Sequence, residues 1–475
     1  MKLIISFGFV IAAISASAFG FAQEVMEGPL EALPSHWSQM RIEEPVFGGQ
    51  VHVVETGVTH KDTIVLVHGL GYNGLRDWMD VIPHLETNYH VVALDLPGFG
   101  ESDPTSLQVA PQKYAELLKW LIPQFSKDKV ILVGHSMGGA IVLRFASEFP
   151  QQLHKLVMVD TAGVLNRSVF VRHMAQLPNR YDWLAKYQNQ FGFIDSAVTK
   201  VNRFLNKISR DVLTQLDQLP DPTLILMGNE LAQQYVYKDR PTLNAAIGLI
   251  NEDFSEALDN FHVPTHIIWG ELDRVAPLRT GKLLASQLAN AELHIIEGVG
   301  HVPMKQSTEQ FIEQLDLALR HSPKFNNPVD VSLADTKYLE DLICTGTENG
   351  VFSGHYAKVV IKGCQYITLK NLTAQSISIE QSEVELTNIQ VASDDVALNV
   401  KQSFVTMTNA VLEGATALKI EKSTFDGAGV SFNGSHELID VVADSLLYLS
   451  VSRQQKAGQV QFLHGVSQGN QFKLR

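Results

Sequence analysis

Val130-Ile131-Leu132-Val133-Gly134-His135-Ser136-Met137-Gly138, followed at once by Gly139-Ala140-Ile141-Val142, reads as a strand, a sharp turn and the start of a helix. The unbroken apolar run is what a strand covered on both faces requires. A serine hydroxyl is a weak nucleophile and must be lifted clear of the backbone and set beside a base. A tight strand-to-helix turn does this, and flanking glycines admit the close packing that such a turn needs. The helix N-terminus also aims free N–H groups at developing negative charge. Ser136 is therefore the candidate nucleophile. Upstream, His68-Gly69-Leu70-Gly71 directly follows the apolar run 64–67. An N–H of this loop and the N–H of the residue after the nucleophile can together hold an oxyanion, which nominates Leu70 and Met137 through backbone atoms alone. His68 and His135 are read as shaping their turns.

The same alternation continues outward from this turn. Short β-branched runs at 42–46, 51–54, 64–67, 91–94, 131–133, 157–159, 266–269 and 294–296 are separated by longer helical stretches. Gly48-Gly49 predicts an opening hairpin between the first two. The predicted fold class is α/β, a doubly wound, mostly parallel sheet of about eight strands. The spacer between Val159 and His266 is far too long for one crossover and carries many aromatics, among them Phe170, Tyr181, Trp183, Tyr187 and Phe191. It predicts an inserted, mainly helical cap at about 162–260. Chain order in this architecture is nucleophile, acid, histidine. Asp273 and His301 each follow a strand, so both lie on loops at the carboxyl ends of strands, the edge that carries Ser136. His301 would take the Ser136 proton and return it to the leaving group, while Asp273 would hold the imidazole and stabilise its charged form. Asp160 and Glu271 are rivals for the acid, each also readable as a loop-capping carboxylate.

These pieces, with Arg76-Asp77-Trp78, Asp95-Leu96-Pro97-Gly98-Phe99-Gly100-Glu101-Ser102 and Gly300-His301, resemble the α/β-hydrolase superfamily in its serine esterase and lipase-like branch, over about 40–320. The resemblance implies hydrolysis of a carboxylic ester through an acyl-enzyme, with a small-molecule ester as the partner and the long insert as a lid. Epoxide and haloalkane hydrolases of the superfamily use an aspartate nucleophile, so Ser136 argues against both. The chemistry calls for no cofactor and no metal. The aromatic insert favours an apolar acyl or alcohol group, although a small helical subdomain needs such rings for its own core. Asp95, Gly98, Gly100 and Ser102 read as structural. Gln306 departs from the family pattern, in which a glutamate often follows the histidine.

After Arg320 the pattern changes, across a linker at 321–340. Ile379-Glu380-Gln381-Ser382, Val400-Lys401-Gln402-Ser403 and Ile420-Glu421-Lys422-Ser423 recur at steps of 21 and 20, and Asn388 and Asn409 repeat at 21. A period near 20 with short alternating strands is a solenoid signal and predicts an all-β parallel β-helix over 341–475. The competing reading is an antiparallel sandwich. The segment 361–369 and the later repeats resemble the right-handed parallel β-helix of pectate-lyase-like proteins, which implies a polysaccharide or surface ligand. Asp394-Asp395 reads as a solvated turn before it reads as a pair of glycosidase carboxylates. Cys344 and Cys364, 20 residues apart, are expected as neighbours at equivalent positions of successive coils.

The chain has 475 residues, 45% hydrophobic and 19% charged, with 37 Lys+Arg against 51 Asp+Glu and a formal charge of −14. That excludes wholesale disorder and a polytopic membrane protein, and it makes nucleic acid a poor partner. Both cysteines lie in the last third, which excludes cysteine catalysis and cysteine-ligated zinc from the first 343 residues. Lys2 precedes an uncharged stretch that ends in small residues, with Ala16-Ser17-Ala18 and Gly20-Phe21-Ala22 as cleavage sites. Residues 1–22 read as a signal peptide, an uncleaved N-terminal membrane anchor being the alternative. The expectation is a secreted or periplasmic serine hydrolase with its hydrolase domain at 23–320. The rival function class is a carbohydrate-binding or adhesive exoprotein, in which the β-helix is the main functional part.

Overall fold

The computed structural model describes residues 31–166, 237, 240–259, 261–324, 340–434, 438–442, 444–468 and 471–474. The signal-peptide reading, most of the cap and most of the linker lie outside the described residues.

The apolar runs form one eight-stranded sheet: β1 (Ser38–Glu43), β2 (Gln50–Thr56), β3 (Thr63–Val67), β4 (His90–Leu94), β5 (Val130–His135), β6 (Leu153–Val159), β7 (Thr265–Gly270) and β8 (Ala291–Ile296), in the order β1-β2-β4-β3-β5-β6-β7-β8. β1 and β2 form an antiparallel hairpin, β2 runs antiparallel to β4, and every other pairing is parallel. Helices cover both faces: α1 (Ile82–Leu85), α2 (Pro111–Phe125), α3 (Met137–Glu148), α4 (Pro241–Ile250), α5 (Ser255–Leu258), α6 (Leu278–Gln287), α7 (Pro303–Gln306) and α8 (Thr308–Arg320). Successive strand residues therefore enter opposite cores. Leu132 and Ile267 pack with Leu118 and Ile141 on one face. Val133 and Ile268 pack with Trp78, Phe311 and Leu315 on the other.

Two boundaries differ from the sequence expectation. The first strand ends at Glu43 and does not run on to Val46. The buried Glu44 carboxylate collects the N–H groups of Val46 (2.7 Å), Phe47 (3.0 Å) and Gly49 (3.2 Å) and closes the chain into a loop there. Residues 240–259, counted with the cap, pack on the body of the sheet: Ala245 and Leu249 of α4 join its core, and Asn244 bonds the Val109 N–H and the Leu107 carbonyl.

Lys155 is a charge inside a buried strand. Its Nζ donates to the carbonyls of Ala318 (2.5 Å), Leu319 (2.7 Å) and His321 (2.7 Å). These are end-of-helix carbonyls of α8 that lack partners within the helix, and a cation suits the negative end of the helix dipole.

The C-terminal region is a curled, mostly parallel sheet of twelve strands. It comprises β9 (Leu342–Thr345), β10 (Val351–Lys362), β11 (Ile367–Glu380), β12 (Glu383–Ala392), β13 (Val396–Lys401), β14 (Phe404–Glu413), β15 (Thr416–Glu421), β16 (Thr424–Gly434), β17 (Ile439–Val442), β18 (Leu446–Lys456), β19 (Gln459–Gln468) and β20 (Gln471–Leu474). The first half of β11 pairs with β12 and its second half with β13. The sheet thus divides into two parallel ladders enclosing one apolar core. Among the described residues, only β18–β19 and β19–β20 of this sheet are antiparallel.

The repeated tetrapeptides have a physical cause. Ile379, Val400 and Ile420 are buried and stack in register. Two residues on, Gln381, Gln402 and Lys422 each adopt φ of +49°, turning the chain in the left-handed region. Ser382, Ser403 and Ser423 then point inward. Each hydroxyl donates to the carbonyl two residues back, at 2.6, 2.6 and 2.7 Å. Each also accepts an N–H from the preceding step: Cys364 to Ser382 at 3.0 Å, Ser382 to Ser403 at 3.1 Å and Ser403 to Ser423 at 3.1 Å. A second ladder joins Asn371, Asn388 and Asn409 through side-chain amides, 2.9 Å at each rung.

Cys344 and Cys364 face one another, both buried, with sulfurs 2.7 Å apart. Their positions are not equivalent. Cys344 stands in register with Ile361, whereas Cys364 takes the place that Ser382 holds one step later. Asp394 and Asp395 lie exposed in a turn.

The curled sheet packs on the helix layer of the first sheet. Arg279 of α6 reaches into the curled sheet: Nε donates to Thr408 Oγ1 (2.6 Å), Nη1 to Asp426 Oδ2 (2.9 Å), and Nη2 to the carbonyls of Met407 (2.8 Å) and Asp426 (3.1 Å). Gln287 extends the asparagine ladder into the first sheet's helix layer, 3.3 Å from Asn409 Oδ1. A Cβ on Gly429 would meet Leu283 of α6 at 2.5 Å. Ala428, Leu446 and Tyr448 belong to the same buried cluster as Leu283, Leu284 and Trp269.

Candidate active site

Ser136 is the last residue before α3, with φ +52° and ψ −115°. The turn is crowded. A Cβ on Gly134 would lie 2.3 Å from Gly138 O, and one on Gly138 would lie 2.3 Å from Val67 O and 2.5 Å from His68 O. Glycine is the residue that fits at both positions. The Ser136 N–H donates to Val159 O at 2.9 Å, which ties the turn to β6.

The structure brings Ser136, His301 and Asp273 together from the ends of β5, β8 and β7. Ser136 Oγ lies 2.9 Å from His301 Nε2, and His301 Nδ1 lies 2.8 Å from Asp273 Oδ2. An Nδ1–H donated to the carboxylate leaves the Nε2 lone pair facing the serine hydroxyl. The other Asp273 oxygen accepts the N–H groups of Val275 (2.7 Å) and Ala276 (3.0 Å). Burial pushes the Asp273 pKa up, but the charge of His301 and the hydrogen bonds from His301 and the Val275 N–H outweigh it and hold it below the usual carboxylate range. The loops that carry Asp273 and His301 interlock: Leu272 N–H donates to Val299 O at 2.8 Å, and a Cβ on Gly270 would meet Gly300 O at 2.2 Å.

Of the rival acids, Glu271 points away and accepts the Gly298 N–H at 3.0 Å. Asp160 does not point away. It ends β6, is fully buried and sits beside Asp273.

Leu70 lies in the loop after β3, and Met137 is the first residue of α3. That loop rests on the serine turn, since a Cβ on Gly69 would meet His135 Nδ1 at 2.9 Å and Ser136 Cβ at 3.1 Å. His68 shapes the loop as a neutral ring, with Nδ1–H donating to Gly69 O (2.7 Å) and Nε2 accepting from the Leu96 N–H (2.9 Å). His135 donates Nε2–H to the carbonyl of His301 at 2.8 Å. Burial, then the neighbouring His301, lowers its pKa to about 3, so it stays neutral. Gln306 accepts the Gly300 N–H at 2.8 Å, an acceptor role that either a glutamine or a glutamate can fill. Asp95 is a hub for the loop after β4. It accepts from His52 (2.7 Å), the Leu75 N–H (2.7 Å) and the Glu101 N–H (3.0 Å), and a Cβ on Gly74 or Gly100 would strike it.

Two groups of histidines and carboxylates among the described residues bring ligand atoms within 4.8 Å of one another. In Asp160–Asp273–His301 the atoms are already committed to each other. The second, His266–Glu292–His294, lies at the opposite end of β7 and β8. There His266 Nδ1 and His294 Nε2 meet at 2.9 Å with ring centroids 5.2 Å apart, the spacing of a head-on imidazole hydrogen bond. His266 and the Lys155 ammonium share the His321 carbonyl, which places a cation beside the pair.

Residues 62–307 match the alpha/beta hydrolase fold family, and the chain belongs to it. It is similar to an uncharacterized protein of Mycobacterium tuberculosis, with 30% identity over 267 residues, covering 53% of this chain and 73% of that one. It is 28% identical over 271 residues to a 2-hydroxy-6-oxononadienedioate/2-hydroxy-6-oxononatrienedioate hydrolase of Paraburkholderia phymatum, covering 56% of this chain and 89% of the relative. Among solved structures, a thermophilic esterase from Thermogutta terrifontis aligns at 20% identity and a TM-score of 0.42, over 60% of this chain and 98% of that one. The chain is a hydrolase of this family, and a small-molecule substrate fits it.

Proposed function

We propose that the chain is a secreted serine hydrolase that cleaves carboxylic esters of small molecules through an acyl-enzyme. The observation that carries this reading is the hydrogen-bonded run Ser136–His301–Asp273, at 2.9 and 2.8 Å, on the C-terminal edge of the sheet. Ser136 Oγ attacks the ester carbonyl while His301 Nε2 takes its proton. The oxyanion so formed is held by the N–H groups of Leu70 and Met137. His301 then protonates the departing alcohol, and the acyl group stays on Ser136. Water, deprotonated by His301, attacks the acyl carbonyl, and the acid leaves as His301 returns the proton to Ser136. Asp273 orients the imidazole and stabilises its charged form throughout. Export rests on residues 1–22 of the sequence, read above as a signal peptide.

The C-terminal region is read as a right-handed parallel β-helix. Two parallel ladders enclosing one core, with serine and asparagine columns repeated at each step, support that reading. Its role is to pack against α6 and the segment that follows the Asp273 loop.

A second reading is hydrolysis of a 2-hydroxy-6-oxo-dienedioate, which the name of the Paraburkholderia relative favours. A panel of p-nitrophenyl esters run beside that dienedioate, with wild type and Ser136→Ala, tests both. Turnover of the esters alone supports the first reading, and turnover of the dienedioate alone supports the second. Activity retained in Ser136→Ala overturns both.

A further inference from the structure

Asp160 is a buried acid for which the reaction above has no use. It stands at the end of β6 with φ +44°, a left-handed conformation. Its N–H donates to Ile268 O at 3.0 Å, and the Ala162 N–H two residues on donates to Ser136 O at 3.2 Å. The residue is thus clamped between the serine turn and the strand that carries Asp273. Its Oδ1 accepts the Gly270 N–H at 2.8 Å. Its Oδ2 is buried and has no hydrogen-bond partner, and a carboxylate oxygen of Asp160 lies within 4.8 Å of one of Asp273. Two ionised carboxylates buried this close are acceptors only and repel, which favours a proton on one of them.

The partners decide which carboxyl holds the proton. Asp273 accepts from His301 and two backbone N–H groups, a setting that favours the anion. Asp160 has a single N–H and no cation. Burial foremost, then the charge of Asp273, drives its pKa well above the carboxylate range.

We propose that Asp160 is a neutral, proton-donating positioning residue, which hydrogen-bonds Asp273 and sets how strongly that carboxylate draws on the His301 imidazole. The proposal rests on the reading that Ser136, His301 and Asp273 are the reacting set. The chain of contacts then runs Ser136–His301–Asp273–Asp160, with protonation confined to its far end. An O–H donated to Asp273 disperses the carboxylate's charge. Without it, more of the charge falls on the imidazole and stabilises the imidazolium. The base then stays protonated to higher pH, so the acid limb of kcat/KM must move upward. The other titratable groups facing this chain are His135 on β5, His68 after β3, and Asp77 with its neighbour Lys305. None of these is altered by a change at Asp160.

The test uses the full chain with p-nitrophenyl acetate. Asp160→Asn keeps an acceptor for Gly270 and a donor for Asp273, and should hold its acid limb within about 0.3 pH units of wild type. Asp160→Ala removes the donor, and its limb should rise by about 0.5–1 unit, so that kcat/KM at low pH drops by about three- to tenfold. Equal shifts in both variants, or no shift in either, overturn the proposal. A second measurement needs neither activity nor a folded alanine variant. The infrared difference spectrum of wild type minus Asp160→Asn at neutral pH should contain a protonated-carboxyl stretch, and its absence overturns the proposal. Ser136→Ala separates the two claims: activity retained there removes the ester reading, while the infrared band still decides the carboxyl pair.

Discussion

The two sheets of this protein use sequence in opposite ways. In the first, each important residue occurs once, and its partner lies far away: Ser136 and His301 are 165 positions apart, yet 2.9 Å apart in space. In the second, the same residue recurs at each step, and its partner is its own copy, as in Ser382, Ser403 and Ser423. The difference teaches where damage should be local and where it should spread. A unique group can be lost without harm to the fold and with total harm to the chemistry. A repeated group shares its hydrogen bonds with both neighbours, so its loss is a stability effect with no chemical signature.

The contrast is sharpest at Ser136. Ser136→Ala should lower kcat/KM for a p-nitrophenyl ester by a factor on the order of 10⁴–10⁶, because the residues of such a set act as a unit. Its thermal midpoint should stay close to wild type. A phosphonate directed at serines should label wild type and leave this variant untouched.

The next largest effect should fall on the junction. Arg279→Ala leaves the mostly buried Asp426 carboxylate without its cation, and loss of one partner of a buried pair costs about 3–5 kcal/mol. Urea unfolding followed by far-UV and tryptophan signals should show the loss, and the two signals should separate as the sheets cease to unfold together. A single coincident transition at the wild-type midpoint would show that the shared core does not depend on this contact.

Ser403→Ala should cost less, about 1–3 kcal/mol, since the Ser382 N–H loses its buried acceptor in the curled sheet. Substrate turnover by the folded fraction should not change, and a fall in kcat at full occupancy of the native state would break the separation of roles. The smallest effect concerns the cysteines. Mild oxidation should consume both thiols of Cys344 and Cys364 without forming a cross-linked dimer, because each is buried against the other. Thiol counting on denatured, unreduced protein and a non-reducing gel read this directly.

What was legible in the sequence follows the same division. The serine turn can be read locally, because Gly134 and Gly138 sit within a few residues of the group they serve. Asp273 and His301 follow from chain order. Asp160 reads from sequence as either acid or loop cap, since what distinguishes it is its place beside Asp273 across two adjacent parallel strands, and no local pattern records that. The repeats announce their own stacking, but Cys344 does not share the register of Cys364 that a constant period implies. The period near 20 holds for later steps, whereas the pairs Cys344–Ile361 and Ile361–Ile379 are 17 and 18 residues apart. The junction was illegible. Arg279 and Asp426 are separated by 147 positions, and a single arginine on an amphipathic helix reads as solvated. The early end of β1 was missed because a glutamate in a loop is ordinarily exposed, and Glu44 is instead folded inward onto three N–H groups.

The docking of Arg279 and Leu283 onto two successive steps of the curled sheet also bears on how the molecule can lengthen. Repeat arrays grow and shrink by duplicating or deleting whole steps. Here the step that carries Asp426 and Gly429 is pinned to α6 and cannot change its place in the stack without breaking the Arg279 fork and the glycine fit. Steps on the far side, from β9 to β12, touch no such anchor among the described residues, and their spacing already varies. A copy inserted there would extend the array outward and leave the hydrolase untouched, so length differences between descendants of this chain belong at the β9 end.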